Sequence, residues 1–438
     1  MTTVHCPALL IAAPGSGHGK TSVTAALARY HRRSGLRVRC FKTGPDFIDP
    51  TVLVQASGLP VYNLDPWIMG VEHCRALLFE AASTCDLILV EGVMGLYDGE
   101  PSSADLARLF DLPVLPVIDA AAMAQTFGAV LHGLHSYTAP GSPANAPLNF
   151  AGVVANRVGS ARHADLLRTA VPPQWPLTAL RRSEAVVLPE RHLGLRVAQE
   201  IGDLDARLDL LADTIDGTAL AQMPAPVAFA RPGDVAEVER SLDGVSVAVA
   251  FDQAFCFLYQ ANLEWLQRMG ARLHFFSPLT DTLPPDADAM YLPGGYPELH
   301  AAALADNGAM QAAIRDFVAA GKPLLAECGG MLYLADTLFD MDGDKHALLG
   351  LLPATATMGD RLAALGPQQI AVDGAVIRGH TFHYSSLGTD LAPTWRAQTP
   401  DGRDGEAVYR HGSIVASYLH WYFPSNPQLI ADWLRPLD

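Results

Sequence analysis

At 438 residues the chain is long enough for two or three domains, and with 50% of its residues hydrophobic each can build a core. Against 46 acidic residues stand 30 basic ones, a net charge of −16, which argues against nucleic acid as the main partner but leaves room for a local basic pocket that takes a small anion. The 6 cysteines form no C-x-x-C pair and no zinc spacing, no apolar run reaches membrane-spanning length, and no secretory signal is evident, so a reduced, cytoplasmic protein is expected.

The first predicted element is a buried strand over residues 8–13. It runs into PGSGHGKT, which misses the usual phosphate-loop pattern by one position, since Pro14 stands where the first glycine belongs. Gly15, Gly17 and Gly19 nevertheless permit the positive φ angles that let backbone N–H groups curl around an anion. From Lys20 the pattern turns helical, with Val23, Ala26, Leu27 and Tyr30 on one face and Gly35 as the stop. A glycine loop feeding a helix N-terminus favours phosphate. Lys20 would reach the terminal phosphates of ATP, and Thr21 would offer a hydroxyl to Mg²⁺.

The next predicted strand, residues 37–41, ends in FKTGPDFIDP and puts Lys42 and Asp46 near a strand's C-terminal end. The strand over residues 87–90 is followed by EGVMGLYDG, with Glu91 at its end and Asp98 in the next loop. Ligands of open α/β sheets bind outside these ends. Asp46 and Glu91 are therefore candidate Mg²⁺ ligands with Thr21, while Asp98 either faces an acceptor substrate or is a solvated loop residue. Strands follow over residues 114–118 and 152–155, separated by the loop PGSPANAP at residues 140–147. Asn156, which ends the latter strand, either reads an adenine edge or caps the following helix. A last strand of this half is expected over residues 195–198. The alternation of strand and helix indicates a doubly wound, mostly parallel sheet. MPAPVAFARPG, residues 223–233, breaks all periodicity and reads as a linker. The expected organisation is a nucleotide domain over 1–222, a linker over 223–243 and a second α/β domain over 244–438.

In the second half, strands are expected over residues 245–251, 272–276, 289–292 and 324–326. The last runs into ECGG and then an apolar stretch, a strand–turn–helix resembling a nucleophile elbow with Cys328 exposed at its tip. Gly329 and Gly330 let the backbone bend and aim N–H groups at an oxyanion, and the helix N-terminus is expected to lower the thiol pKa. Gly294 and Gly295, in LPGGYPE, form a second glycine turn and offer Gly295 as the other oxyanion donor. A thiol nucleophile needs a base, and His420 follows a strand-like run. His380 and His383, in RGHTFHYS, are either substrate ligands or structural histidines.

Taken together, APGSGHGKT, FKTGPDFIDP, NLD at residues 63–65, VEGVMGLYDG, LPGGYPE, ECGGMLYL and GHTFHYS resemble the cobyrinate or hydrogenobyrinate a,c-diamide synthases of corrinoid biosynthesis over nearly the whole chain. The resemblance implies an N-terminal domain similar to dethiobiotin synthetase, whose phosphate loop is also irregular, and a C-terminal class I glutamine amidotransferase domain. It implies Mg²⁺, ATP and glutamine, a corrinoid substrate, and room for a homodimer. Cys328 and His420 would release ammonia from glutamine. Lys20, Lys42 and the metal would stabilise the charge as a substrate carboxylate takes the γ-phosphate. Two departures stand out: Tyr422 occupies the position where class I glutaminases usually carry an acid, and Thr381 stands where the family pattern commonly has Glu. The rival readings are amidation of another tetrapyrrole, as by nickel-sirohydrochlorin a,c-diamide synthase or cobyric acid synthase, and a ParA/MinD-like ATPase switch.

Overall fold

A computed structural model describes residues 2–138, 147–183, 188–191, 194–195, 197–233 and 238–436. The chain divides into two compact units, Met1–Val235 and Ala236–Asp438. No helix among the described residues is long and apolar enough to cross a membrane. None of the six cysteines forms a disulfide, and all are buried.

The first unit is built on β1 (Thr3–Ala12), β2 (Val38–Thr43), β3 (Tyr62–Leu64), β4 (Leu87–Glu91), β5 (Val114–Asp119), β6 (Val153–Val158) and β7 (Leu177–Arg181), with α1 (Lys20–Arg33) leaving the loop after β1. Their order across the sheet is β3-β2-β4-β1-β5-β6-β7, and these neighbours pair in parallel. Leu10 and Ala12 pack with Ile88 and Val90 into one core. Leu9 and Ile11 pack with Leu87 and Leu89 into the other. Both faces are thus covered, which is why these strands read as unbroken apolar runs. The chain winds from β1 to β2–β4 on one side and then to β5–β7 on the other. The loop after β1 therefore sits at the point where strand order reverses, the usual place for a ligand in such sheets.

Two expectations are corrected. Residues 195–198 are not a strand of this sheet: Leu195 belongs to a two-residue strand, Ala198–Glu200 is a short 3₁₀ turn, and residue 196 lies outside the described residues. The position beside β6 is taken by β7. An apolar run of four can be buried on any backbone, as Val197 is, so the run alone does not distinguish strand from turn. The expected linker is also partly structured. Pro226–Ala230 is a strand antiparallel to the start of β1, with Val227 and Phe229 inward and their neighbours outward. The prolines hid this two-residue alternation, and a proline is tolerated as the first residue of a strand. Leu242, near the other end of the stretch, lies in a core of the second unit. Most of PGSPANAP falls outside the described residues.

In the second unit, five strands pair in parallel in the order Arg272–Phe276, Ser246–Ala250, Ala289–Leu292, Leu324–Glu327 and Ile414–Ser417. The same sheet continues antiparallel through Asp404–His411, Trp395–Gln398, Ala364–Val372 and Ala375–His383 to His420–Trp421. Ile414–Ser417 and His420–Trp421 stand at opposite ends of this antiparallel path, yet only Tyr418 and Leu419 separate them in the chain. The path must curl back on itself. That curl brings Ala375–His383 alongside the C-terminal ends of the parallel strands.

Candidate active sites

The phosphate loop is held in a fixed shape. Gly17 and Gly19 have φ of +79° and +91°, and a Cβ on Gly19 would lie 2.3 Å from the Asn156 Nδ2. Neither constraint applies to Gly15. The Lys20 ammonium is buried and donates to the carbonyls of Gly15 at 3.0 Å and Met94 at 2.6 Å. Burial, and after it the Lys42 ammonium, lowers the Lys20 pKa to about 8.

Behind the loop the ends of β2 and β4 meet. Lys42 Nζ lies 2.9 Å from Glu91 Oε1, 3.6 Å from Asp46 Oδ2, and bonds to Asp49. The Thr21 hydroxyl donates to the same Glu91 oxygen at 2.7 Å. Burial alone would lower the Lys42 pKa, but Asp49, Glu91 and Asp46 together hold it well above its ordinary value. Burial raises Glu91 to about 7 and Asp46 to about 6, against the pull of Lys42. Asp49 escaped the sequence reading. Its one signal is an Asp before Pro50 at a helix start, and only the packing of that helix brings it to Lys42.

The donor set can be tested against Mg²⁺. Glu91 Oε2 is buried with no hydrogen-bond partner, an orphan acceptor that a cation would satisfy. No group of three or more His, Cys, Asp or Glu among the described residues is arranged to enclose a metal. Mg²⁺ does not need one, since it keeps waters and phosphate oxygens beside one or two carboxylates. Thr21, Asp46 and Glu91 fit that requirement.

Asp98 accepts from the Gly95 amide at 2.8 Å and so shapes its own loop. That loop also bonds back to β1 and its end, through Gly92 N to Ile11 O and Leu96 N to Ala13 O. Asn156 donates to the His18 carbonyl at 2.9 Å and accepts from the Arg157 amide at 3.0 Å. Both ends of its amide thus serve the chain itself, bracing the loop at Gly19. His18 accepts from the Asp119 amide, and Asp119 pairs with Arg157 at 2.6 Å. A separate cavity of about 540 Å³ opens at the N-terminal ends of β4–β7 and shares no residue with this site.

In the second unit, three neighbouring parallel strands end at Leu292, Glu327 and Ser417, just before Gly294–Gly295, Cys328 and His420. Cys328 has φ +43° and ψ −108°, a conformation costly for any residue with a Cβ. Its amide donates to the Ser417 carbonyl at 2.7 Å. A Cβ on Gly329 would stand 3.0 Å from Gly295 N, so the two glycine turns adjoin. The expectation of a lowered thiol pKa is corrected. Burial, then the carboxylates Glu298, Glu327 and Glu406, pushes it up, against the single helping bond from Gly329 N–H, and the helix after it is only six residues long. That direction favours the thiol form of Cys328.

His420 is 1% exposed, and burial, then His380 and His383, holds its pKa well below the ordinary range, which favours the neutral imidazole. Its ring stacks on His380 with centroids 5.0 Å apart. His380 Nδ1 lies 3.0 Å from the Tyr259 hydroxyl, and burial lowers its pKa to about 3. His383 stacks on Tyr418 at 3.6 Å and reaches Glu406 at 3.0 Å. The Thr381 hydroxyl donates to the same Glu406 oxygen at 3.3 Å, so a carboxylate from Asp404–His411, a strand that does not pair with Ala375–His383, reaches position 381. Glu406 too escaped the sequence reading. Gly294 has no spare room: a Cβ there would lie 2.2 Å from His420 Cε1. Gly294→Ala is therefore expected to displace the imidazole and cut glutamine-dependent turnover by about 10²-fold while ammonia-dependent turnover persists. Assays of the purified variant with each nitrogen source check this.

Residues 9–194 match the family described as CobQ/CobB/MinD/ParA nucleotide binding domain, and residues 246–428 match the CobB/CobQ-like glutamine amidotransferase domain. The chain is 56% identical to a hydrogenobyrinate a,c-diamide synthase from Pseudomonas aeruginosa, over 100% of this chain and 99% of that protein. It is 56% identical to a protein of the same name from Stutzerimonas stutzeri, over the full length of both. It is 48% identical to a cobyrinate a,c-diamide synthase from Herminiimonas arsenicoxydans, over 98% of this chain and 96% of the other.

Proposed function

The chain belongs to the family of hydrogenobyrinate and cobyrinate a,c-diamide synthases, and we propose that it amidates the a and c side-chain carboxylates of such a corrin with ATP and glutamine. The observation that carries the proposal is a buried thiol on a strained turn in a chain that also bears a phosphate loop. A nucleotide switch of the ParA/MinD kind has no use for that thiol. Hydrogenobyrinate, the cobalt-free corrin named in the two relatives at 56% identity, is the substrate to test first.

In the second unit, His420 takes the Cys328 proton as the sulfur attacks the glutamine carboxamide. The amides of Gly295 and Gly329 face the oxyanion. His420 returns the proton to the departing nitrogen, ammonia leaves, and water, deprotonated by His420, cleaves the thioester to glutamate. In the first unit, a corrin carboxylate attacks the γ-phosphorus of ATP, and ADP departs. Lys20 and the loop amides hold the phosphates, and Lys42 adds positive charge beside them. Mg²⁺, held by Thr21, Asp46 and Glu91, would supply further charge neutralisation on the phosphate oxygens. Ammonia then displaces phosphate from the acyl phosphate to give the amide. Asp98, His380 and His383 act through position: Asp98 shapes the loop beside the nucleotide, and the histidines pack around the thiol site. The reaction is that of a carbon–nitrogen ligase with glutamine as amide donor, and the compartment we infer is the cytoplasm.

One nucleotide site serving two carboxylates means that they react in turn. A mass-spectrometric time course with ATP, glutamine and hydrogenobyrinate is expected to show two successive exchanges of OH for NH₂, with a transient mono-amide. A product that stops at one amide, or passes two, overturns the a,c-diamide reading.

A further inference from the structure

The position that usually supplies the acid of such a thiol site holds Tyr422, which is 1% exposed. We propose that Glu327, the residue immediately before the nucleophile, is the positioning residue that orients His420. The inference rests on the glutaminase reading of Cys328.

Glu327 ends the strand that delivers Cys328 and is 1% exposed. A buried carboxylate is costly unless its oxygens are satisfied. Oε2 accepts from the Tyr291 hydroxyl at 2.8 Å, and Oε1 accepts from the Trp421 amide at 3.1 Å. Trp421 directly follows His420, so this carboxylate grips the backbone that carries the imidazole. The oxygen facing Tyr291 also lies 4.0 Å from His420 Nδ1. That is longer than a hydrogen bond, and catalytic contacts of this kind commonly tighten once substrate is bound. With Nδ1–H directed at the carboxylate, Nε2 carries no proton and is the nitrogen that takes the thiol proton. The imidazolium that forms on thiol attack then faces a negative charge. Glu327 and Cys328 are adjacent across the strained turn, so nucleophile, base and orienting group are tied to two neighbouring strand ends.

The ionisable groups around this pair come from four elements. Tyr291 belongs to the strand Ala289–Leu292, Cys328 follows Glu327 itself, and His380 and His383 belong to Ala375–His383. The Tyr259 hydroxyl meets His380 from the loop before helix Gln260–Arg268. Burial raises the Glu327 pKa to about 8, against the bonds from Tyr291 and Trp421. The carboxylate form therefore grows as pH rises through that range. Glutamine hydrolysis by the parent is expected to rise along the same limb.

The test uses the full chain and follows glutamate release from L-glutamine across pH, alongside amidation of hydrogenobyrinate with ammonium chloride and ATP. Glu327→Gln keeps the shape of the side chain. It is expected to lower the glutamine kcat about 10²–10³-fold with little change in KM, and to abolish the limb near pH 8. Ammonia-dependent amidation is expected to stay at the parent level. Glu327→Asp is expected to recover part of the rate and to keep a limb, and Tyr291→Phe, which removes a donor to the carboxylate, to move the limb upward. A purely structural carboxylate predicts otherwise: Glu327→Gln would stay within about threefold of the parent kcat with its pH profile intact, or lose both nitrogen sources together. Either result overturns the proposal. If Cys328→Ala itself still releases glutamate at the parent rate, the glutaminase reading fails instead.

Discussion

Lys20→Ala is expected to lower amide formation about 10³-fold or more, equally with glutamine and with ammonium salts. The Lys20 Nζ is held between the Gly15 and Met94 carbonyls. The charge is thus preorganised, and little must be rearranged when negative charge develops on the transferring phosphoryl group. Burial lowers its pKa to about 8, and the phosphates of a bound nucleotide would raise it again. Both nitrogen sources attack the same acyl phosphate, so neither can bypass the loss. Removing the ammonium leaves two carbonyls without their donor, at a cost of about 1–3 kcal/mol of stability. Thermal melts therefore belong beside the rates, and Lys20→Met, which keeps most of the stem, separates lost charge from lost packing. Turnover by Lys20→Ala close to that of the parent would remove Lys20 from the phosphate site.

Cys328→Ala is expected to separate the two nitrogen sources. Glutamine-dependent amidation should fall by about 10⁴-fold or more, because no other group forms the thioester. Ammonium salts at raised pH, where more of the nitrogen is NH₃, should restore product. His420→Ala is expected to follow the same pattern. The alanine variant keeps a Cβ at φ +43° and so keeps the strain of the turn. Cys328→Gly relieves it and is expected to be more stable than Cys328→Ala by about 1 kcal/mol, with the same loss of glutamine use. The decisive measurement is amide yield with glutamine against yield with ammonium for each folded variant. Retained glutamine use, or loss of both nitrogen sources in a folded protein, would end the proposed division of labour.

Much of both sites was legible because it is local. A strand, a glycine loop and a helix N-terminus follow one another at residues 3–33, and Gly17 and Gly19 adopt the left-handed angles that the loop requires. The same holds for Glu327-Cys328-Gly329, where strand, turn and helix are contiguous. Strands such as Leu352–Met358 and Ala364–Val372 were not legible. They have one face turned outward and alternate where a buried strand is uniformly apolar, and Pro367 interrupts one of them. Pro226–Ala230 was missed for the same reason.

The sequence by itself determined which backbone segments form the glycine loop after β1 and the strained turn at Cys328, because glycine placement and apolar runs act over a few residues and need no distant partner. It determined Lys20, Thr21, Cys328 and His420 as candidates, and it marked Tyr422 and Thr381 as departures from the family pattern. Which side chains meet was decided only by the tertiary structure. Asp49 reaches Lys42 because its helix packs beside β2, and Glu406 reaches Thr381 and His383 across the curled sheet. Glu327 comes to His420 because the strand ending at Ser417 pairs beside Leu324–Glu327 while the strand that follows it turns back to pair with Ala375–His383. Strand order and curl depend on the packing of whole sheets, and residues far apart in the chain leave no local pattern to announce that they will share a site.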